Sequence, residues 1–290
     1  MQLFRENCHA KLNLYLAVTG RRVDGFHDLV SLVAQVSLHD ELTASPSDTG
    51  ADSLACNDAN LSAGQDNLVL KAAAAYRNKV KDAPFLAWHL VKKLPYGAGM
   101  GGGSSDAAGA LRILNKTCNE ALSANELEAV AAEVGSDCPL FLREHPCLMR
   151  GRGEILEELP PAAAKALQGR HVAIVKPHFG IPTGWAYGAV DTAGALTKPE
   201  DAEGEISRWL ANPSAPPPVR NSFMDVVYRK YLCYDALNDI LRAKALPEVI
   251  LTGSGSAAFA LTSEAEAREI AAIAQEQFGE GSFAAATTII

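Results

Sequence analysis

The sequence predicts a mixed α/β (α+β) protein with two domains. Strand-like alternation and helical periodicity follow one another in both halves of the chain, the pattern of layered α/β and α+β folds. At 290 residues the chain is long for one core. The stretch LPPAAAKALQGR at 159–170 reads as a boundary, giving domains at 1–157 and 158–290.

Residues 10–18, AKLNLYLAV, alternate as a strand, and TGRRVDGFHDL turns through Asp24-Gly25. LVSLVAQVSLHDELTAS continues as strand, and residues 45–66, rich in Ser, Asp, Ala and Gly, read as loop. NLVLKAAAAYRNKV, from Asn67 to Val80, reads as a helix and FLAWHLVKKL as a strand. After a glycine-rich loop and its helix, Ser123 with Glu126 three residues on caps a helix to Val134, which Gly135 ends. GSDCPLFL then forms an apolar segment. In the second half HVAIVKP is a strand, and IPTGWAYGAV opens a helix with Thr183 near its start. Residues 211–218, ANPSAPPP, form a connector that cannot be helix interior. Asn221 to Leu241 reads as mostly helical, and EVILTGSGSAAFAL as strand, glycine turn and strand. SEAEAREIAAIAQEQF closes the series as an amphipathic helix capped by Ser263 and Glu266.

The most informative stretch is LPYGAGMGGGSSDAAGALRIL, in which five of the seven residues from Gly97 to Gly103 are glycine. Ala107, Ala108, Ala110, Leu111, Ile113 and Leu114 fit a helical face, with Ser104 or Ser105 as cap and Asp106 in the first turn. Strand, glycine loop and helix N-terminus together present backbone N–H groups beside the positive end of a helix dipole, which favours anions and phosphate above all. The alternative is a close-packed or flexible turn. Walker A fails, because no lysine follows the glycines. Gly97-x-Gly99-x-x-Gly102 also matches the GxGxxG dinucleotide fingerprint. Against that reading, the strand before it ends in Lys92 and Lys93, and Pro95 interrupts.

Composition excludes several classes. With 26 Lys and Arg against 34 Asp and Glu, the formal net charge of −8 argues against a nucleic-acid partner. No apolar run reaches membrane-spanning length, so no membrane partner is expected. The six cysteines form no CxxC pair and fit reduced thiols. The N-terminus MQLFRENCHAKLNLYL resembles neither a signal nor a transit peptide, so a cytoplasmic protein is expected. The histidines show no HExxH or Cys/His ligand spacing, so no protein-held metal site is expected.

The order AKLNLYLAVTGRRVDGFH, LPYGAGMGGGSSDAA, GSDCPLFL and LTGSGSAAFA resembles the GHMP kinase superfamily over about residues 9 to 260. DGFH and GSDCPLFL resemble the branch that acts on a cytidine-diphosphate sugar alcohol; mevalonate, homoserine or sugar kinases of the superfamily are the alternatives. The resemblance implies a ribosomal protein S5 domain 2-like N-terminal domain, a ferredoxin-like C-terminal domain, and ATP with Mg²⁺. It implies a small-molecule substrate and a monomer or weak homodimer. Lys11 and Asp137 match the catalytic pair. Pro95, Gly97, Gly99, Gly101, Gly102, Gly103, Ser104 and Ser105 match the ATP phosphate loop, with Asn67 and Lys92 on its base side. Asn13, Phe26, His27, Thr183, Gly253, Ser254 and Gly255 match substrate-binding positions, Phe26 standing where tyrosine is usual and His27 reading the cytosine edge. Cys8-His9, Met100, Ser254 and Ser256 depart from the usual pattern without removing a charge or donor the chemistry needs.

Overall fold

The computed structural model describes residues 3–59 and 61–290. In chain order the elements are β1 (Phe4–Arg21), β2 (His27–Pro46), β3 (Ser53–Cys56), α1 (Leu68–Lys79), β4 (Leu86–Val91), α2 (Gly102–Thr117) and α3 (Ala124–Val134). A 3-10 turn (Pro139–Leu142), β5 (Cys147–Gly151), β6 (Ile155–Glu158), α4 (Pro161–Leu167), β7 (His171–Lys176), α5 (Thr183–Ala193) and α6 (Pro199–Ala211) follow. The chain ends with β8 (Arg220–Asn221), α7 (Met224–Lys230), α8 (Cys233–Ala243), β9 (Ile250–Leu251), β10 (Ala258–Thr262), α9 (Glu264–Phe278) and β11 (Phe283–Thr288).

Two compact units emerge, each discontinuous in sequence. The first comprises Met1–Ala10, Leu38–Leu94 and Gly101–Glu144; the second comprises Lys11–Ser37, Pro95–Met100 and His145–Ile290. The sequence reading used one cut at 157/158, whereas β1 and β2 each contribute residues to both units. The cause is strand length: β1 and β2 span 18 and 20 residues, so one strand outlasts one core.

In the first unit, β4 pairs antiparallel with residues 41–46 of β2 and parallel with β3. Helices α1, α2 and α3 cover this sheet, and their apolar faces meet Leu42, Leu86, Trp88 and Leu90 in one core. The anticipated capping box at Ser123 and Glu126 is present. β3 was not anticipated, because SLAC alternates only between exposed and half-buried positions within a polar stretch. The strand before the glycines thus runs antiparallel to its long neighbour. The glycines and α2 are followed by α3 rather than by a strand parallel to β4, whose partners are β2 and the earlier β3, so the loop does not sit in the βαβ unit of a dinucleotide site.

In the second unit, β11, β7, β10 and β9 form a four-stranded antiparallel sheet in that order. α9, with its anticipated capping box, packs on β7 and β11. Residues 29–33 of β2 pair with β5, which pairs with β6, and Tyr15 and Leu16 of β1 pair in parallel with β8. The region 221–241 is two helices, α7 and α8, that part at Tyr231 and Leu232. The stretch read as a boundary carries α4, a proline-started run of strong helix formers.

Gly109 lies in α2 where a Cβ would stand 2.6 Å from the Sγ of Cys8. Gly→Ala in a helix interior ordinarily stabilises by about 1 kcal/mol. Here overpacking, typically about 1–3 kcal/mol, opposes that gain. Gly109→Ala is expected to lower the thermal midpoint, and adding Cys8→Ala to recover part of the loss. A double variant less stable than Gly109→Ala would contradict the account.

Candidate active site

The glycine loop is held differently in its two parts. Residues 95–100 belong to the second unit. There Ala257 N donates to Ala98 O at 3.1 Å and Lys11 N donates to Met100 O at 3.0 Å. Gly97, Gly99 and Gly101 have φ of 64°, 76° and 70°, a region that other residues enter only with strain. Gly99 has a second reason to be glycine: a Cβ would lie 2.8 Å from Thr252 O and 3.1 Å from Gly255 O. Gly253 reciprocates, since its Cβ would lie 3.1 Å from Gly99 O. At Gly97 a Cβ would meet nothing within 4 Å.

In the first unit, α2 starts at Gly102 with Gly101 as a left-handed N-cap that makes no side-chain cap bond. Ser104 and Ser105, expected as caps, are instead helical residues, because the chain turns helical at Gly102. Ser105 N donates the first i→i−4 bond, to Gly101 O at 2.9 Å. The N–H groups of Gly102, Gly103 and Ser104 precede it and have no intrahelical acceptor, the arrangement that receives an anion. Asp106 is displaced for the same reason. It falls beyond the first turn, on the buried face.

Asp106 lies in a buried ion cluster. The side chains of Asp40, Lys92 and Asp106 are 0%, 9% and 5% exposed. Lys92 Nζ pairs with Asp40 Oδ2, and lies 2.8 Å from Asp106 Oδ2. Asp40 Oδ1 accepts from Lys93 N at 2.5 Å and from Leu94 N at 2.8 Å. Burial pushes the Asp106 carboxyl up to about 7, Lys92 opposing and the Asp40 charge adding. Burial works against the Lys92 ammonium, but Asp106 and Asp40 outweigh it and raise its pKa. Lys92, expected beside the nucleotide base, thus has its ammonium engaged by two carboxyl groups. Asn67 is likewise occupied: it caps α1 by accepting from Val69 N at 2.9 Å and donates to Ser62 O at 2.7 Å. Asp137 is half-buried in the turn between Gly135 and Pro139. Burial pushes the neighbouring Cys138 thiol up to about 11, with a hydrogen bond to Ser104 opposing and Asp137 adding.

In the second unit, Lys11 and Asn13 are buried in β1, 6% and 2% exposed. Lys11 Nζ donates to Asn13 Oδ1 at 2.5 Å, and Asn13 Nδ2 donates to Ser31 Oγ at 2.9 Å. Asn13 N donates to Thr252 Oγ1 at 2.8 Å, which joins β1 to the turn holding Gly253, Ser254 and Gly255. Asn221 Nδ2 braces that turn through Gly253 O at 2.8 Å. The hydroxyls of Thr183 and Ser254 lie 3.0 Å apart. His27 is 8% exposed, with Nε2 2.7 Å from Asp191 Oδ1. Its ring stacks on Tyr187 at 4.6 Å between centroids. Phe26 is 55% exposed, and the Arg152 guanidinium lies 4.8 Å from its ring centroid.

The structure thus groups Lys11, Asn13, Gly97, Gly99, Thr183 and the 253–255 turn with His27 and Phe26 in one unit. Asn67, Lys92, Gly101, Gly102, Gly103, Ser104, Ser105 and Asp137 belong to the other. Asp40, Ser31, Tyr187, Asp191, Arg152 and Thr252 were not singled out from sequence. Asp40 lies there in the polar stretch His39-Asp40-Glu41, which does not set it apart from its neighbours.

Gly97→Ala and Gly99→Ala separate strain from collision. Gly97→Ala is expected to cost only the left-handed penalty, about 1–2 kcal/mol. Gly99→Ala adds a collision with two carbonyl oxygens and is expected to cost at least about 1 kcal/mol more. Urea unfolding of both variants checks this, and equal losses would mean the close approach at Gly99 is not limiting.

The family described as "GHMP kinases N terminal domain" matches residues 67–144, which include the loop and Asp137. A 4-diphosphocytidyl-2-C-methyl-D-erythritol kinase of Synechococcus sp. (strain CC9902) is 37% identical, over 87% of this chain and 85% of its own length. That of Salinibacter ruber (strain DSM 13855 / M31) is 35% identical over 92% of each. A crystal structure of a 4-(cytidine 5'-diphospho)-2C-methyl-D-erythritol kinase superposes with a TM-score of 0.79 at 31% identity, covering 98% of this chain and 99% of that one. The mevalonate kinase of Methanococcus jannaschii, at 14% identity and a TM-score of 0.70, shares the fold. With identity of this order along nearly its whole length, the chain belongs to the 4-diphosphocytidyl-2-C-methyl-D-erythritol kinase family of GHMP kinases.

Proposed function

We propose that this chain transfers the γ-phosphoryl group of MgATP to the 2-hydroxyl of 4-diphosphocytidyl-2-C-methyl-D-erythritol. The products are the 2-phosphate and ADP, in the non-mevalonate route to isoprenoid precursors. The observation that carries the reading is a glycine loop opening directly onto the free N–H groups of α2, in a chain whose relatives bear this enzyme's name. Preorganised N–H donors stabilise the charge on the transferred group without reorganisation in the transition state. Among the described residues no group of three His, Cys, Asp or Glu could hold a metal ion. In this reading Mg²⁺ enters on the phosphates of ATP, as part of the substrate.

In this reading Asp137 accepts or orients the proton of the substrate hydroxyl, whose oxygen attacks the γ-phosphorus as the bond to the bridging oxygen of ADP breaks. Lys11, tethered to Asn13, supports the charge on the transferred group. The free face of Phe26 stacks on the cytosine and His27 reads its edge. Thr183, Ser254 and the backbone of Gly253 and Gly255 supply contacts to the diphosphate and sugar alcohol. The same reading takes the protein as cytoplasmic and as a monomer or weak homodimer. No helix among the described residues is long and apolar enough to cross a membrane.

ADP release, followed with ATP, Mg²⁺ and the cytidine-diphosphate substrate, should depend on that substrate. Substrate-independent release, or release only with mevalonate or homoserine, would move the activity to another GHMP reaction. Asp137→Asn should keep nucleotide binding and lose about 10²- to 10⁴-fold in kcat. Near-normal turnover would remove Asp137 from the chemistry. Phe26→Ala should raise KM for the cytidine substrate far more than KM for ATP; equal rises would take Phe26 out of the base site.

A further inference from the structure

We propose that Asp106 is a positioning residue for the nucleotide. Through Lys92 and Asp40 it fastens the start of α2 to the chain leading into the glycine loop, and it holds the proton that keeps this buried cluster neutral. The inference rests on the reading that the loop receives ATP.

The fastening is visible atom by atom. Asp40 binds the backbone N–H groups of Lys93 and Leu94, the last two residues before Pro95. Asn57 holds Lys92 from both sides, its Oδ1 accepting from Lys92 N at 2.7 Å and its Nδ2 donating to Lys92 O at 3.2 Å. Lys92 Nζ then reaches Asp106 on α2. The cluster abuts the first helical residue: a Cβ on Gly102 would lie 3.3 Å from Lys92 Nζ and 3.4 Å from Asp40 Oδ2. The same side chains thus hold the chain before the loop and the helix after it.

The proton follows from the hydrogen-bond inventory. One ammonium faces two carboxyl groups, and a surplus buried charge is costly. Asp40 spends both oxygens on donors, two backbone N–H groups on Oδ1 and Lys92 on Oδ2. Asp106 spends one; its Oδ1 is buried with no hydrogen-bond partner. A bare carboxylate oxygen is the less tolerable of the two in that setting, so the proton falls on Asp106. The upward push on this carboxyl agrees with the geometry. Among the described residues, Lys92 is the cation in contact with the Asp106 carboxyl. β1 presents the Cys8 thiol, itself raised by burial and then by Asp106 and Asp40, with Glu6 beyond it. α1 presents the Leu68 methyl to Gly103 and, further along, Tyr76 bonded to Asn115. The turn after α3 presents Cys138 and Asp137, and α2's own Arg112 is committed to Phe141 O.

Loss of the proton leaves one net negative charge beside the N–H groups that take the phosphates, and like charge weakens an anion's binding. Nucleotide affinity should therefore fall as pH rises through neutrality. The test is isothermal titration of a non-hydrolysable ATP analogue with Mg²⁺ from pH 6 to 8.5, on the wild type, Asp106→Asn and Lys92→Met. The ratio of wild-type Kd to Asp106→Asn Kd should rise roughly three-fold or more across that range, since Asn cannot ionise. Lys92→Met should weaken nucleotide binding roughly ten-fold while leaving KM for the cytidine substrate within about two-fold, because it leaves buried carboxyls unpaired beside the loop. A ratio constant with pH overturns the proton, even if Lys92→Met fails to fold. A folded Lys92→Met with wild-type nucleotide affinity overturns the fastening. A wild type that binds no nucleotide at any pH overturns the kinase reading itself, and this inference with it.

Discussion

Backbone meets backbone at Gly99, and much of the second unit's site depends on that contact. The carbonyls of Thr252 and Gly255 occupy the space a side chain would need. The loop can then lie against the 252–257 turn, where Ala98 O accepts from Ala257 N. Two residues beyond Ala98, Met100 O accepts from Lys11 N, and two residues after Lys11, Asn13 N returns to Thr252 Oγ1. These bonds form a closed circuit through β1, the loop and the turn. Each is worth only about 0.5–1.5 kcal/mol net. Their effect is geometric: apart from the Thr252 hydroxyl, the atoms that fix the lysine, the asparagine and the glycine turn are backbone and have no rotamers to search.

The first unit uses the opposite device. Its flanks of the loop are held by charged side chains in a place with almost no water. Such a cluster is a poor source of stability, because desolvating the ions offsets most of their attraction. It is directional, however. Asp40 can satisfy both oxygens only if Lys93 and Leu94 present their N–H groups together, and Lys92 can reach Asp106 only if α2 has begun by Gly102. The glycines permit the loop's shape and the ions select one placement of its ends. This is why Gly102 and Gly103 remain small: their Cβ atoms would stand 3.3 Å from Lys92 Nζ and from a Leu68 methyl.

The fold was legible where local chemistry is strong. The capping boxes at Ser123 and Ser263, the Asn67 start of α1 and the strand character of β1, β2 and β7 are all local signals, and the structure has them. The loop's left-handed turns and the helix after it were legible, because a run of five glycines before strong helix formers has few other uses. Pairing partners were not legible. β3 and the two-residue β8 exist because β4 and β1 offer edges, and nothing in SLAC or in Arg220-Asn221 announces a strand. Asp106 shows the limit most clearly. Read locally, an acid two residues after a possible serine cap belongs to the first turn and favours the helix dipole. The helix instead starts at Gly102, so the same acid falls on the buried face and its partners are 14 and 66 residues away in sequence.

The same dependence on distant partners governs the base site proposed at Phe26 and His27. A carboxylate can only accept a hydrogen bond, so Nε2 of His27 donates to Asp191, and in the proposed site the base edge is read through Nδ1. Tyr187 stacks on the imidazole and holds its plane, and Arg21 lies 3.6 Å from the other oxygen of Asp191. Residue 27 could be recognised from a four-letter motif, but its direction is set by α5, some 160 residues later. Phe26 is the contrasting case. Its ring is exposed, with the Arg152 guanidinium 4.8 Å from its centroid, and the remaining surface of the ring is open to a flat partner. An oriented imidazole beside an open aromatic face is what selection of one base over another requires: stacking accepts any base, and the hydrogen-bonding edge chooses among them.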